Sequence, residues 1–330
     1  MLKIHPALAA DATTRPVLVT GAAGLVGVPL VRALRRGGHT VVAVDDGSAG
    51  TLGRLAEFLP DDGVHVVIAD VRDGISLTSL MREARPWAVA HLAAKHFIPE
   101  CEAAPGAALD VNVLGTQRIL DACAVAPPKR FLFASTADVY ATDDAPHAET
   151  SLVAPRGVYG TSKLTGEHLL RDQAHRLGIS GVVVARLFNV YGPGDPHPHL
   201  IPEILRQVTA GETRLSLGDL SSARDYVFVD DVADMLSSFL ASTVTGIFNV
   251  GTGVATTGYH LVRLIGDVVG RNLVTEVDPA RVRQVERKTL CAAPDRLVSA
   301  VGHPATSLRD GLAATLAATT VVPTPAGVTG

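Results

Sequence analysis

Two side chains four residues apart, Tyr159 and Lys163, offer the clearest chemistry in this sequence. On a helix, positions i and i+4 share a face, so the phenol and the ammonium project to the same side. A neighbouring cation favours phenolate, and Lys163 is therefore expected to lower the Tyr159 pKa towards working pH. That makes a base able to take a proton from an alcohol. An exposed Tyr and Lys that merely share a helix face would read the same way, so the chemistry depends on what the chain places around them.

Those surroundings begin near the amino terminus. Residues 16–20 form a short β-branched run that leads into Gly21-Ala22-Ala23-Gly24-Leu25-Val26-Gly27. A helical apolar pattern through Leu30, Val31 and Leu34 comes next and stops at Gly37-Gly38. Strand, glycine turn and helix is the context in which a loop cradles a dinucleotide. Gly21 permits the turn, Gly24 admits the pyrophosphate, Gly27 lets helix pack on strand, and the helix amino terminus faces the phosphates. The next strand, over 40–44, ends at Asp45-Asp46. A carboxylate there, for which Asp45 is the choice, binds the adenosine ribose hydroxyls and repels a 2′-phosphate, which selects NAD over NADP.

Further strands are expected over 65–70 and 87–90, with a helix over 76–84 between them. This alternation gives an α/β fold with a doubly wound parallel sheet. Ligand chemistry gathers at the carboxyl ends of such strands, which here carry Asp70-Val71, His91-Leu92-Ala93-Ala94 and Ser135-Thr136. Ala93 and Ala94 let backbone lie against a flat ring, and Lys95 and His96 come after them where they reach cofactor or substrate. One long helix is expected over 105–126; Asn112 interrupts its apolar side and, if it faces inward, needs a partner.

Composition narrows the classes. The chain has 330 residues, 47% hydrophobic and 19% charged, which is a globular balance with ample core. A net charge of −4 with no basic block argues against nucleic acid as a partner. Cys101, Cys123 and Cys291 have no metal-ligand spacing and suit a reducing compartment as small core residues. No apolar run is long enough to cross a bilayer, so no membrane is expected and the location is read as cytoplasmic. Residues 1–15 read as a loose leader, and the tail from 321 as frayed. The Asp195-Pro196-His197-Pro198-His199 loop lacks a regular ligand set, so no metal is expected there.

In chain order the motifs are the glycine loop, Asp45, Asp70-Val71, His91-Leu92-Ala93-Ala94, Asn112-Val113-Leu114-Gly115-Thr116, Ser135-Thr136-Ala137-Asp138-Val139-Tyr140 and Tyr159-Gly160-Thr161-Ser162-Lys163. Arg186-Leu187-Phe188-Asn189-Val190-Tyr191-Gly192-Pro193-Gly194 and the run from Arg224 to Ala233 complete them. Through these the chain resembles the extended short-chain dehydrogenase/reductases, in their nucleotide-sugar epimerase/dehydratase branch. The resemblance implies an NAD-binding Rossmann domain over 16–189 and 221–255, and a smaller, discontinuous α/β substrate lobe over 190–220 and 256–330. Residues 225–229 are expected to return to the large sheet.

The resemblance also implies roles. NAD would be held by Gly21, Gly24, Leu25, Val26, Gly27, Asp45, Asp70, Val71, Leu92, Ala93, Ala94 and Asn112, together with Tyr159 and Lys163. Tyr159 is implied as catalytic base, Lys163 as its tuning cation on the nicotinamide ribose, and Thr136 as the group that orients the reacting hydroxyl. A nucleotide-diphosphate sugar would meet Lys95, His96, Asn189, His199, Leu200 and Arg224. A second diphosphate-binding arginine is placed at Arg283, with Arg281 and Arg287 as rivals. A homodimer would form through helices near 105–126 and 157–178.

The fate of the oxidised sugar rests on the residues beside Thr136. Elimination of water needs an acid–base pair, and sugar dehydratases of this branch typically read Thr-Asp-Glu where this chain has Thr136-Ala137-Asp138. With the first acid absent, the expected reaction is epimerisation of a nucleotide-activated sugar at C4 through a 4-keto intermediate. A dehydratase or decarboxylase using Asp138 is the alternative, and a non-catalytic NAD-binding protein a more distant one.

Overall fold

The computed structural model describes residues 15–49, 52–59, 61, 63–281 and 287–321. The expected leader up to 14, Arg283 and the tail after 321 therefore lie outside the described residues. The first half alternates β1 (Val17–Thr20), α1 (Gly27–Arg36), β2 (Val41–Asp45), β3 (Val64–Ile68), α2 (Gly74–Ala84) and β4 (Ala88–His91). Helices α3 (Ile98–Ala103), α4 (Pro105–Leu109) and α5 (Gly115–Cys123) precede β5 (Arg130–Thr136), α6 (Gly157–Ala174) and β6 (Gly181–Leu187).

Next come β7 (Asn189–Tyr191), α7 (Leu200–Thr209), β8 (Arg214–Leu217), β9 (Ala223–Phe228), α8 (Val229–Ala241) and β10 (Gly246–Val250). The chain continues through β11 (Ala255–Thr257), α9 (Gly258–Val269), β12 (Val274–Val277), β13 (Thr289–Leu290), α10 (Asp295–Val301) and α11 (Leu308–Val321).

Seven parallel strands form the main sheet in the order β10-β6-β5-β4-β1-β2-β3. Its apolar runs are buried on both faces, because helices cover both. Val17, Val19, Val41 and Ala43 pack towards one side with Leu30, Leu34 and Leu236, while Leu18, Val42 and Val44 pack towards the other with Leu77, Ile119 and Phe133. The strand order reverses between β1 and β4, so a crevice opens at their carboxyl ends, where ligands of such sheets bind. The second half caps that crevice with a further apolar cluster joining Ile204, Leu215, Leu217, Leu261 and Leu312.

Two expectations change. Residues 225–229 do not return to the large sheet. β9 instead forms the centre of a four-stranded sheet, parallel to β7 and β13 and antiparallel to β11. The single helix over 105–126 is also interrupted: a π-helical turn, Asp110–Leu114, separates α4 from α5. Its wider winding turns Asn112 inward to 1% exposure.

Candidate active site

The glycine loop lies at the reversal of strand order. Gly21 takes φ +70°, a conformation open mainly to glycine, and a Cβ there would stand 2.7 Å from the Ala93 nitrogen. At Gly27 a Cβ would sit 2.1 Å from the Gly21 carbonyl oxygen, so the first turn of α1 needs a residue without one. The loop runs under the end of β2, with Ala22 N donating to Val44 O at 3.1 Å. Each oxygen of Asp45 accepts a backbone N–H, from Ala23 at 3.0 Å and from Gly47 at 2.9 Å. A backbone bared of side chains, a helix amino terminus and a fixed carboxylate form a donor and acceptor set that suits a dinucleotide.

The opposite edge of the crevice is held by buried side-chain hydrogen bonds. His91, fully buried, meets Thr20 Oγ1 through Nδ1 at 2.7 Å and Thr116 Oγ1 through Nε2 at 3.1 Å. Burial brings its pKa down to about 3, with the Lys163 charge adding to the effect, so it stays neutral and structural. Leu92, Ala93 and Ala94 come next as half-buried lining of the cleft. Asn112 finds the partners it needs behind that wall. Its Oδ1 accepts Lys95 N at 2.7 Å, while its Nδ2 donates to Lys95 O and to Ser162 Oγ, both at 2.9 Å. Asn112 thus ties the loop after β4 to α6, the helix carrying Tyr159. Asp70 is paired with Arg72, which holds its carboxyl below the usual range, and Val71 packs against Gly115.

Tyr159 and Lys163 face the same cleft from α6, and Thr136 ends β5 beside them. Thr136 lines the cleft beside Tyr159, and its hydroxyl acts to lower the phenol's pKa. It also caps the short turn Ala137–Val139 by accepting Asp138 N at 3.2 Å, and it lies 3.4 Å from Asp138 Oδ2. Lys163 is 2% exposed, with its Nζ 4.2 Å from the Phe133 ring centroid. Burial brings its pKa down to about 7, against the pull of Glu167.

The expected depression of the Tyr159 pKa is not what this environment produces. Burial raises it, the charge of Asp138 raises it further, and the Thr136 hydroxyl opposes them. Lys163, itself desolvated, is a weaker source of positive charge than helix spacing alone suggested.

The covering wall brings Asn189, His199, Leu200, Arg224 and Arg281 to the same cleft of about 790 Å³. Arg224 donates to the carbonyls of Ala223 at 2.9 Å and Arg287 at 3.0 Å. Arg281 is bound to Glu203 at 2.8 Å and to Asp278 at 3.2 Å, which ties up its guanidinium. Arg287 reaches under the site to the carbonyls of Tyr140 and Asp138, and its Nη1 is buried without a partner among the described residues.

The Pro/His loop has a packing role that the sequence does not announce. His197 stacks on Phe97 at 4.9 Å and meets His96 edge-on at 4.7 Å, while His199 Nδ1 bonds Asp195 Oδ2 at 2.8 Å. These rings join the loop after β4 to the loop after β7. Burial and the neighbouring imidazoles bring the His96 pKa down to about 4. The alternating histidines were visible in the sequence, but their ring partners lie about a hundred residues away.

The family model described as the NAD dependent epimerase/dehydratase family matches residues 17–251. A UDP-glucose 4-epimerase of Mycolicibacterium smegmatis is 36% identical, over 91% of this chain and 96% of that protein. A dTDP-glucose 4,6-dehydratase of Xanthomonas campestris is 31% identical, over 84% of this chain and 83% of that one. The UDP-glucose 4-epimerase of Thermus thermophilus, solved in complex with NAD, superposes with a TM-score of 0.84 at 28% identity, covering 93% of this chain and all of the other (100%).

Proposed function

Because the chain belongs to the NAD-dependent epimerase/dehydratase family, we propose that it is an epimerase acting at C4 of a nucleotide-diphosphate sugar. The carrying observation is that Thr136, Tyr159 and Lys163 line one cleft, Lys163 one turn further along α6 than Tyr159, with no carboxylate at Ala137 beside them. NAD, when bound, accepts a hydride from the sugar carbon and returns it. Gly21, Gly24, Leu25, Val26 and Gly27 would hold its phosphates, Asp45 its adenosine ribose, and Leu92, Ala93 and Ala94 would line its path.

The chain's own residues handle the proton and the sugar. Thr136 orients the C4 hydroxyl, and Tyr159 takes its proton as the carbon is oxidised. Lys163 supplies positive charge beside the phenolate. Asn189, Arg224 and Arg283 would hold the nucleotide-diphosphate end, so that the ketosugar can turn over without leaving. Once the ketosugar has turned the other face of C4 towards the cofactor site, Tyr159 returns the proton to the same oxygen.

Tyr159→Phe is expected to lower turnover about 10²- to 10⁴-fold in an assay of nucleotide sugars read by chromatography and mass. Unimpaired turnover in that variant sinks the mechanism. An isomer of unchanged mass supports epimerisation, and loss of water redirects the reading to the dehydratase. That second reading has its own support: Asp138 lines the cleft beside Thr136, and the Xanthomonas relative is a dehydratase.

We also read the protein as a cytoplasmic homodimer. Leu109 and Leu114, 41% and 52% exposed on the helical stretch that packs beside α6, support the dimer. Sedimentation at micromolar concentration tests it. The free, buried state of all three cysteines supports the compartment, and among the described residues no helix is long and apolar enough to cross a membrane.

A further inference from the structure

The face of α6 that carries Tyr159 and Lys163 continues to a third ionisable residue, Glu167, so the three follow one another at i, i+4 and i+8. Glu167 is 5% exposed and held from two strands. Ser135 Oγ donates to its Oε1 at 2.5 Å, while Arg186 grips both oxygens, Nε to Oε1 at 3.0 Å and Nη2 to Oε2 at 2.7 Å. Ser135 and Arg186 are register partners across β5 and β6, the strands beneath the site, and Ser135 directly precedes Thr136. The Arg186 guanidinium in turn lies 4.8 Å from the Tyr140 ring centroid.

A buried ion pair of this kind contributes little stability beyond what apolar side chains of equal volume would give. Its setting suggests another use. Lys163 must carry charge in surroundings that oppose it. Facing it are the Phe133 ring from β5, His91 from β4, His96 from the following loop, and Tyr159 and Glu167 on its own helix. Burial keeps both histidines neutral at pH 7, with pKa values of about 3 and about 4. Glu167 acts on Lys163 in the opposite sense to burial, and Arg186 makes an ionised carboxylate tolerable at that depth.

We propose that Glu167 is a positioning residue for the reaction: anchored by Ser135 and Arg186, its carboxylate keeps the buried Lys163 ammonium protonated at working pH. This rests on the reading of Tyr159 and Lys163 as the catalytic pair.

The charge on Lys163 can be read without turnover. Besides Lys163 the chain has only Lys3, Lys95, Lys129 and Lys288, so protein labelled with 13C at lysine Cε gives few signals, and Lys163→Arg assigns the relevant one. In NAD-free protein, Glu167→Gln is expected to move the Lys163 titration down by about one pH unit, while Glu167→Asp stays near the parent. The pH above which turnover falls should move down with it. If an unpaired Arg186 prevents folding, Glu167→Gln combined with Arg186→Met removes both charges and gives the same shift. A Lys163 titration unchanged in either folded variant overturns the proposal and leaves the catalytic reading standing. Retained turnover in Tyr159→Phe overturns the catalytic reading and leaves the titration result intact.

Discussion

Lys163→Met should abolish turnover and yet make the protein more stable, by an amount that depends on pH in a specified way. The side chain is 2% exposed, and its pKa falls from 10.5 to about 7 because burial opposes the ammonium. At about 1.4 kcal/mol per pH unit, that gap corresponds to about 5 kcal/mol as an upper bound. Below pH 7 both the folded and unfolded chains bind the proton, and the folded state carries the whole cost of burying it. Between pH 7 and 10.5 the unfolded chain holds a proton that the folded chain lacks, so wild-type stability rises with pH. Above 10.5 neither is charged and the penalty is gone.

Methionine has similar length, no charge and a flexible thioether that fills the slot. It forfeits the cation–π contact with Phe133, about 1–2 kcal/mol for a desolvated cation, so the net gain below pH 7 is about 3 kcal/mol. Urea unfolding of NAD-free wild type and variant at pH 6.0, 7.5 and 9.0 measures it. The stability difference should be largest at pH 6.0 and decline by about 1.4 kcal/mol for each pH unit above 7. A difference that stays constant with pH, or a variant less stable than wild type at pH 6.0, refutes the reasoning. Confirmation would make Lys163 a residue retained for its chemistry at a cost to the fold.

Two further substitutions probe the cofactor cradle and the fate of the ketone. Gly27→Ala places a methyl 2.1 Å from the Gly21 carbonyl oxygen and 2.6 Å from that of Ala22, both backbone. The first turn of α1 must move away, costing about 1–3 kcal/mol of stability and weakening NAD binding, both measurable by calorimetry. Asp138→Asn removes a charge that raises the Tyr159 pKa, so the acid limb of the rate–pH profile should shift to lower pH while isomer formation continues. Isomer formation that stops altogether would mean Asp138 is needed for the chemistry itself.

Much of this site was legible because its signals are local. The glycine spacing, the β-branched runs and the acid ending β2 each specify structure within a few residues, and β1, β2 and β4 begin within a residue of where the sequence put them. What the sequence hid is non-local. An apolar run such as Tyr226-Val227-Phe228 announces a strand without naming its neighbours, and here they are β7, β11 and β13. The π turn at Asp110–Leu114 leaves the apolar pattern nearly helical, and the reason for it, the hold of Asn112 on Lys95 and Ser162, appears only after folding. The same limit explains Tyr159. Its spacing from Lys163 was readable, but the depth of the pocket and the approach of Asp138 were not, and these reverse the expected direction of its pKa.

The choice between returning the hydride and eliminating water comes down to where Ala137 points. It is 1% exposed and packs with Val139, Tyr140, Phe188, Leu290 and Ala292, away from the cleft that Thr136 and Asp138 line. An acid at 137 could serve elimination only if this short turn were rebuilt, because in its present course the carboxylate would enter an apolar cluster at a cost of several kcal/mol. Asp138 is then left to work without a second acid, and its charge already bears on Tyr159. A single carboxylate coupled to the proton acceptor can assist that proton's departure and return. Elimination asks for a base at one carbon and an acid at its neighbour in the same step. The packing of one methyl group therefore favours the epimerase over the dehydratase.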